Sequence, residues 1–339
     1  MYISNKEKVA VVVTSIGKPN KVLSRLASES NKNKWDFLLI GDLDSPSDFN
    51  LKGCDFYSLE RQLASEFKFA QQCPTRHYAR KNIGYLLAIK NKASIIIETD
   101  DDNMPREEFW QYRTRKQNVI TASNMGWINA YSYFTEANIW PRGFPLDSIL
   151  GNQLDWDSFE ISQVDCPIQQ GLADGNPDVD AIYRLTLPLP QYFRKDRRLA
   201  LAQGSWCPFN SQNTTWWFDA YPLLYLPAYC SFRMTDIWRS FIAQAIAWVN
   251  GWSVLFHEPT VWQDRNHHNL MKDFSQEIDG YLKNREICQT LAKLQLEPGT
   301  DKLMDNMRTC YESLVNLSVI APEELNLLEA WLSDLESLA

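Results

Sequence analysis

Three consecutive aspartates, Asp100, Asp101 and Asp102, follow the apolar run Ile95–Ile97 in the stretch ASIIIETDDDNMP, residues 93–105. Adjacent carboxylates repel one another, so they ionise together only where a cation or hydrogen-bond donors offset their charge. Carboxylate oxygens are the ligands that Mn2+ or Mg2+ takes, and such a cation can in turn hold phosphates. The chemistry this suggests is Lewis-acid activation of a phosphorylated substrate. The competing reading is a solvated acidic turn capping a helix begun by DNMPREEFW.

The elements that would position this cluster read as α/β. KVAVVVTSI, WDFLLIGD and ASIIIE are short, continuous apolar runs of the kind found in buried parallel strands. Between them, KPNKVLSRLASES, SLERQLASEFKFA and HYARKNIGYLLAI carry helical spacing, and the alternation implies right-handed βαβ units. Ligands of such sheets bind beyond the carboxyl ends of the strands. Thr14 ends the first strand, Asp42 the second and the aspartates a later one, so all should meet at one edge. Neither a dinucleotide fingerprint nor a P-loop is present, which leaves phosphate recognition to a cation.

Residues 119–232 are irregular and rich in Pro, Trp, Asn and Asp, with VITASNMGWINAYSYF and DVDAIYRLTLPLP reading as strands between long loops. Such loops usually carry binding residues. A helix over 236–249 has Ile237, Phe241, Ala245 and Val249 on one stripe and Thr235 as its N-cap. SVLFHEPTVW reads as a last strand, and 272–339 as amphipathic helices broken at EPGT and APEE. Asp178 and Asp180, two apart on one strand, would face one side, either to hold acceptor hydroxyls or to bracket a loop. The 13 tryptophans are core mass or flat surface for a sugar.

A net charge of −8 over 339 residues argues against a nucleic-acid surface. No apolar stretch is long enough to cross a bilayer, and no signal-peptide pattern opens the chain, so a cytoplasmic protein is expected. The seven cysteines lack the spacings of a zinc site or a disulfide framework.

In order, IIIETDDDN, IWPRGFPL, IQQGLADGNPDVDAIYRLT, QGSWCPFNSQNTT and TDIWRSFIAQ resemble the STELLO family of GT-A-like glycosyltransferases, over residues 75 to 265 or thereabouts. The reversibly glycosylated polypeptides, plant UDP-arabinopyranose mutases, are similar at greater distance. The resemblance implies a GT-A-like (Rossmann-like) mixed, mainly parallel sheet flanked by helices: a catalytic domain over 1–271, with a nucleotide half to about 118 and an acceptor half over about 119–271, then a helical extension over 272–339. It also implies a nucleotide-sugar donor, UDP-linked first, and a glycan or other hydroxyl acceptor. A DxD-type site would hold Mn2+ or Mg2+ through Asp102 and Asp100, with His268, His267 or His257 as a further ligand. Asp236 would be the general base that takes the acceptor's proton. Thr14, Asp42, Lys81, Asp100, Asp101 and Arg142 would face the donor, and Trp140 would stack on a sugar.

Two departures from the family pattern stand out. The membrane-anchored plant members carry a transmembrane segment ahead of this domain, whereas here the chain starts almost at the first strand. The mutases carry a reactive arginine where this chain has Leu146-Asp147-Ser148. A nucleotide-sugar mutase and a non-catalytic binding module are the other readings, the latter with self-association through the C-terminal helices.

Overall fold

In the computed structural model, residues 7–151, 154–263 and 269–338 are described. The strands are β1 (Val9–Thr14), β2 (Asp36–Ile40), β3 (Asp55–Tyr57), β4 (Ile95–Thr99), β5 (Asn103–Pro105), β6 (Lys116–Ala122), β7 (Gly126–Trp127), β8 (Glu160–Gly175), β9 (Arg198–Leu201), β10 (Ser205–Trp206), β11 (Asn213–Trp217) and β12 (Trp252–Gln263). The helices are α1 (Lys21–Asn33), α2 (Leu59–Leu63), α3 (Lys68–Gln72), α4 (Lys81–Lys90), α5 (Ala181–Thr186), α6 (Thr235–Val249), α7 (Leu270–Leu291), α8 (Leu303–Asn316) and α9 (Glu323–Leu338).

Ten strands form one sheet in the order β3-β2-β1-β4-β11-β8-β6-β9-β12-β5. The β3-β2-β1-β4 end is parallel throughout, as the βαβ pattern requires. Beyond it β11 runs antiparallel to both β4 and β8. The sheet is mixed, as expected, but not mainly parallel: beyond that end the parallel pairs β8–β12 and β6–β9 stand beside the antiparallel pairs β6–β8, β9–β12 and β12–β5. The long strand β8 went unread in the sequence. Its first part pairs with β6 and its second with β12, and both of those pair with β9, so the pairings close a ring.

Alternate residues of β1 feed opposite faces. Val9, Val11 and Val13 pack with α1 through Val22, Leu23 and Leu26, while Ala10 and Val12 join the core containing α4 and α6. Gly84 lets α4 lie against the sheet, since a Cβ there would stand 2.5 Å from Val12 Cγ1. The C-terminal helices share that larger core through Ile287, Leu291, Met307, Tyr311, Leu314 and Trp331. Among the described residues no second core begins at residue 272.

Three local expectations change. SLERQLASEFKFA forms two short helices, because the carboxylate of Asp334 on α9 accepts from the backbone N–H groups of Lys68 and Phe69 and starts α3 afresh. DVDAIYRLT is not a strand: the Asp180 side chain accepts from Tyr183 N and caps helix α5. Thr235 is the first residue of α6, and Met234 occupies the cap position.

Candidate active site

The carboxyl ends of β1, β2 and β4 open onto a cavity of about 480 Å3, lined by Thr14, Asp42, Asp100, Asp101, Asp102, Arg142, Asp178 and Asp236 among others. Eight of the residues singled out in the sequence thus meet in one place. Local sequence accounts for the first three strand ends. Arg142, Asp178 and Asp236 are brought there by the fold.

Each aspartate of the triplet has its own protein partner. Asp100 Oδ1 accepts from Tyr78 Oη at 2.8 Å and from Lys81 Nζ at 3.0 Å. Asp101 Oδ2 accepts from the Ser15 hydroxyl. Asp102 Oδ1 accepts from Gln263 Nε2 at 3.0 Å. Burial raises the Asp101 carboxyl above the usual range, with the Ser15 hydrogen bond opposing the shift and the charge of Asp100 adding to it. The mutual repulsion is offset in part by these donors.

Lys81 does not line the cavity. It is fully buried, and its ammonium also donates to Thr99 O at 2.7 Å and Ser211 O at 3.3 Å. The expected donor contact is corrected: Lys81 reaches the cavity only through Asp100, Tyr78 and Ser211. Asp42 lines the cavity while accepting from Leu43 N at 2.7 Å and His77 N at 2.9 Å.

Arg142, which also lines the cavity, lies between two carboxylates. Its Nε and Nη2 donate to Asp178 at 2.8 and 2.7 Å, and its Nη1 and Nη2 donate to Asp236 at 3.0 Å each. Nη1 also donates to Arg233 O. A guanidinium has five N–H donors, and all are used, so Arg142 has none left for a phosphate. Its place is to set the two aspartates, which corrects the donor-binding expectation. Asp236 also accepts from the backbone N–H and the hydroxyl of Ser211 at 3.2 Å. Burial alone would raise the Asp236 carboxyl, but the Arg142 charge and hydrogen bonds hold it well below the usual range. Gly143, at φ +88°, completes the turn, and a Cβ there would stand 2.4 Å from Ile237 Cγ2.

Trp140 and Asp180 leave the acceptor set. Trp140 is buried, and its Nε1 donates to Asp180 Oδ2 at 2.7 Å. Asp180 is itself buried in capping α5 and does not line the cavity, and burial pushes its carboxyl up to about 6. Trp206, Trp216 and Trp217 are likewise core. His257 lines a different, smaller cavity, while His267 and His268 lie outside the described residues. Among the described residues no group of three metal-ligating side chains is assembled.

Sequence reasoning missed the buried pair that fixes α6. Arg239, one turn after Asp236, donates twice to Glu98, at 2.9 and 2.8 Å, and Trp216 Nε1 and Tyr85 Oη donate to the same carboxylate. A glutamate ending the run of isoleucines was the available signal. Arg76, Arg184 and Arg233, and the rings of His77, Tyr78 and Phe232, also line the cavity.

The family model described as STELLO glycosyltransferases matches residues 233–339, from the start of α6 to the chain end. Probable glycosyltransferase STELLO2 of Arabidopsis thaliana is 27% identical over 368 residues, covering 98% of this chain. The chain is thus similar to the STELLO glycosyltransferases over most of its length. Probable glycosyltransferase STELLO1 of the same plant is 27% identical over 329 residues, covering 89%. The chain spans less than half the length of these STELLO relatives, 45% and 41%. The STELLO family match includes α7, α8 and α9, beyond the stretch over which the sequence motifs resembled the family. A solved structure titled Crystal Structure of a Mycobacterial Protein superposes at a TM-score of 0.42 with 10% identity, over 83% of this chain and 76% of its own.

Proposed function

We propose that the chain is a metal-dependent glycosyltransferase of GT-A type, moving a sugar from a nucleotide-sugar donor, UDP-linked in the first instance, to a hydroxyl acceptor. One observation carries this reading. A single cavity, at the carboxyl edge of the parallel strands, is lined by Asp100–Asp102 together with Asp178 and Asp236, and the Tyr78 and Ser211 hydroxyls link Asp100 to Asp236. That the relatives are probable glycosyltransferases supports the transferase part of the reading.

Asp102 and Asp100 would hold Mn2+ or Mg2+ from the protein side, an arrangement their oxygen donors fit. The cation would offset the charge that develops on the departing nucleoside diphosphate. Thr14 and Asp42, at the ends of β1 and β2, would meet the nucleoside. Asp178 and Asp236 would receive the acceptor. Because Arg142 keeps Asp236 ionised, it is ready to accept a proton at neutral pH but is a weak base. Proton transfer to it becomes favourable late, once the acceptor oxygen has begun to bond the sugar and its proton has turned acidic.

The test is thermal unfolding with UDP, GDP, CMP or ADP, each with Mn2+ or EDTA, in the parent and in Asp102→Asn. A ligand that binds the native state raises its apparent stability by mass action. A rise with one nucleotide that requires Mn2+ and is lost in Asp102→Asn is expected. No rise with any nucleotide in a folded protein would overturn the reading and leave a binding module. Rearrangement of the donor sugar with no acceptor present would instead identify a mutase.

A further inference from the structure

Away from the aspartates, a second cavity of about 80 Å3 lies between the 108–117 segment and strands β8, β9 and β12. Arg113, Gln117, Gln169, Arg198, His257 and Glu258 are among its lining residues. That space exceeds what a single water needs, roughly 10–15 Å3 by the same kind of measure.

Its lining carries two guanidinium groups and two carboxylates, and one of the carboxylates is paired from outside it. Arg198 donates to both oxygens of Glu258, at 3.2 and 2.9 Å, and Lys195 pairs with Glu108 at 2.8 Å. Arg113 remains. Among the described residues it makes no ion pair, and its one hydrogen bond is a long contact from Nη1 to Thr215 Oγ1 at 3.4 Å. Burial pulls its guanidinium down to about 10, with Glu258 opposing the shift and Arg198 adding to it, so it stays charged at neutral pH.

His257 lines the same cavity, is 3% exposed, and its Nε2 has no hydrogen-bond partner among the described residues. Nδ1 stands 3.0 Å from Glu258 O. A buried polar atom without a partner is costly, and the cost falls if something fills the space. The register of β12 against β8 breaks here: His257 pairs with Gly171 and Val261 with Ala173, so the Glu258–Thr260 segment bulges. Bulges re-aim side chains and often border sites.

From the unpaired guanidinium, the unpartnered imidazole nitrogen and the room between them, we propose that this cavity is a binding site for a small oxyanion that carries an O–H, of the hydrogen phosphate type. Arg113 supplies the charge and a forked pair of donors to the anionic oxygens. Burial holds the His257 ring below its usual range and so neutral, and its Nδ1–H donates to Glu258 O, so Nε2 accepts from the ligand's O–H. The inference is independent of the transferase reading.

The experiment titrates the full chain with sodium phosphate, sodium sulfate or sodium acetate at constant ionic strength. Binding is followed by titration calorimetry and by the unfolding midpoint, in the parent, Arg113→Gln, His257→Phe and Asp102→Asn. The expected result is saturable phosphate binding, tighter than that of sulfate, which has no O–H at neutral pH. It should be weakened roughly tenfold or more in Arg113→Gln by loss of charge-assisted hydrogen bonds, weakened in His257→Phe by loss of the acceptor, and retained in Asp102→Asn. Should Arg113→Gln fail to fold, Arg113→Lys keeps the charge but not the fork and should still weaken binding. Absence of saturable binding in the parent would overturn the proposal and leave a cavity filled by water. So would phosphate binding that survives both Arg113 variants, or that Asp102→Asn abolishes, since it would then belong to the larger cavity. Sulfate or acetate binding as tight as that of phosphate would also overturn it, since neither presents an O–H to His257.

Discussion

Arg142 and Asp236 face each other through two parallel hydrogen bonds of 3.0 Å, both side chains being buried in the wall of the larger cavity. The same guanidinium holds Asp178, so removing it would leave two buried carboxylates without their shared counter-ion. Arg142→Met is expected to cost about 3–5 kcal/mol of stability, the usual result of breaking one side of a buried pair. Urea unfolding measures it. A loss below about 1 kcal/mol would show that the carboxylates find other partners.

The Asp180 carboxyl is pushed up to about 6 by burial. Below about pH 4 it is protonated in both the folded and the unfolded chain. Between about pH 4 and 6 the unfolded chain gives up this proton first, so Asp180 withdraws stability as the pH rises through that window, by up to about 3 kcal/mol. The stability difference between parent and Asp180→Asn should therefore move in favour of the variant from pH 4 to 6.5. Chemical unfolding at five pH values would reveal a flat difference if Asp180 titrates normally.

Lys81 places a positive charge 3.0 Å from Asp100. If Asp100 helps to hold the cation, Lys81→Met should bind Mn2+ more tightly than the parent. It should also lose about 1–3 kcal/mol of stability, because the Thr99 and Ser211 carbonyls lose a buried donor. Electron paramagnetic resonance of Mn2+ reads the affinity. A tenfold fall would mean that Asp100 must be oriented by Lys81 to act at all.

The Glu98–Arg239 pair is buried on both sides. Arg239→Met alone should cost about 3–5 kcal/mol, whereas Arg239→Met with Glu98→Leu should recover much of the loss. A double-mutant cycle measures the coupling. Equal losses in the single and double variants would show that the pair acts only through packing.

Asp334 on α9 caps α3. Asp334→Ala should cost about 0.5–2 kcal/mol, the usual range for a lost cap. Removing residues 323–339 strips Glu324 from Tyr225, Ala228 and Tyr229 and should abolish cooperative unfolding. A truncated chain that unfolds in one sharp transition would show that these helices are a separate unit after all.

How much was legible follows from the range over which each signal acts. Apolar runs and helical spacing are local, so β1, β2, β4 and α6 could be read, and with them the meeting of Thr14, Asp42 and Asp100–Asp102 at one sheet edge. Asp180 and Trp140 were misplaced because a side chain's partner depends on which segments pack together: they satisfy each other across 40 residues, with Asp180 also starting a helix. Arg142 was found in the right cavity but with the wrong partners, since nothing local to WPRG says that Asp178 and Asp236 take its donors. The acidic triplet and the βαβ pattern were thus determined by the sequence itself. The mixed second half of the sheet, the shared core of the C-terminal helices and the donors that offset the aspartates were decided only in the tertiary structure. Burial makes a polar group find a partner, and only the folded chain brings that partner within reach.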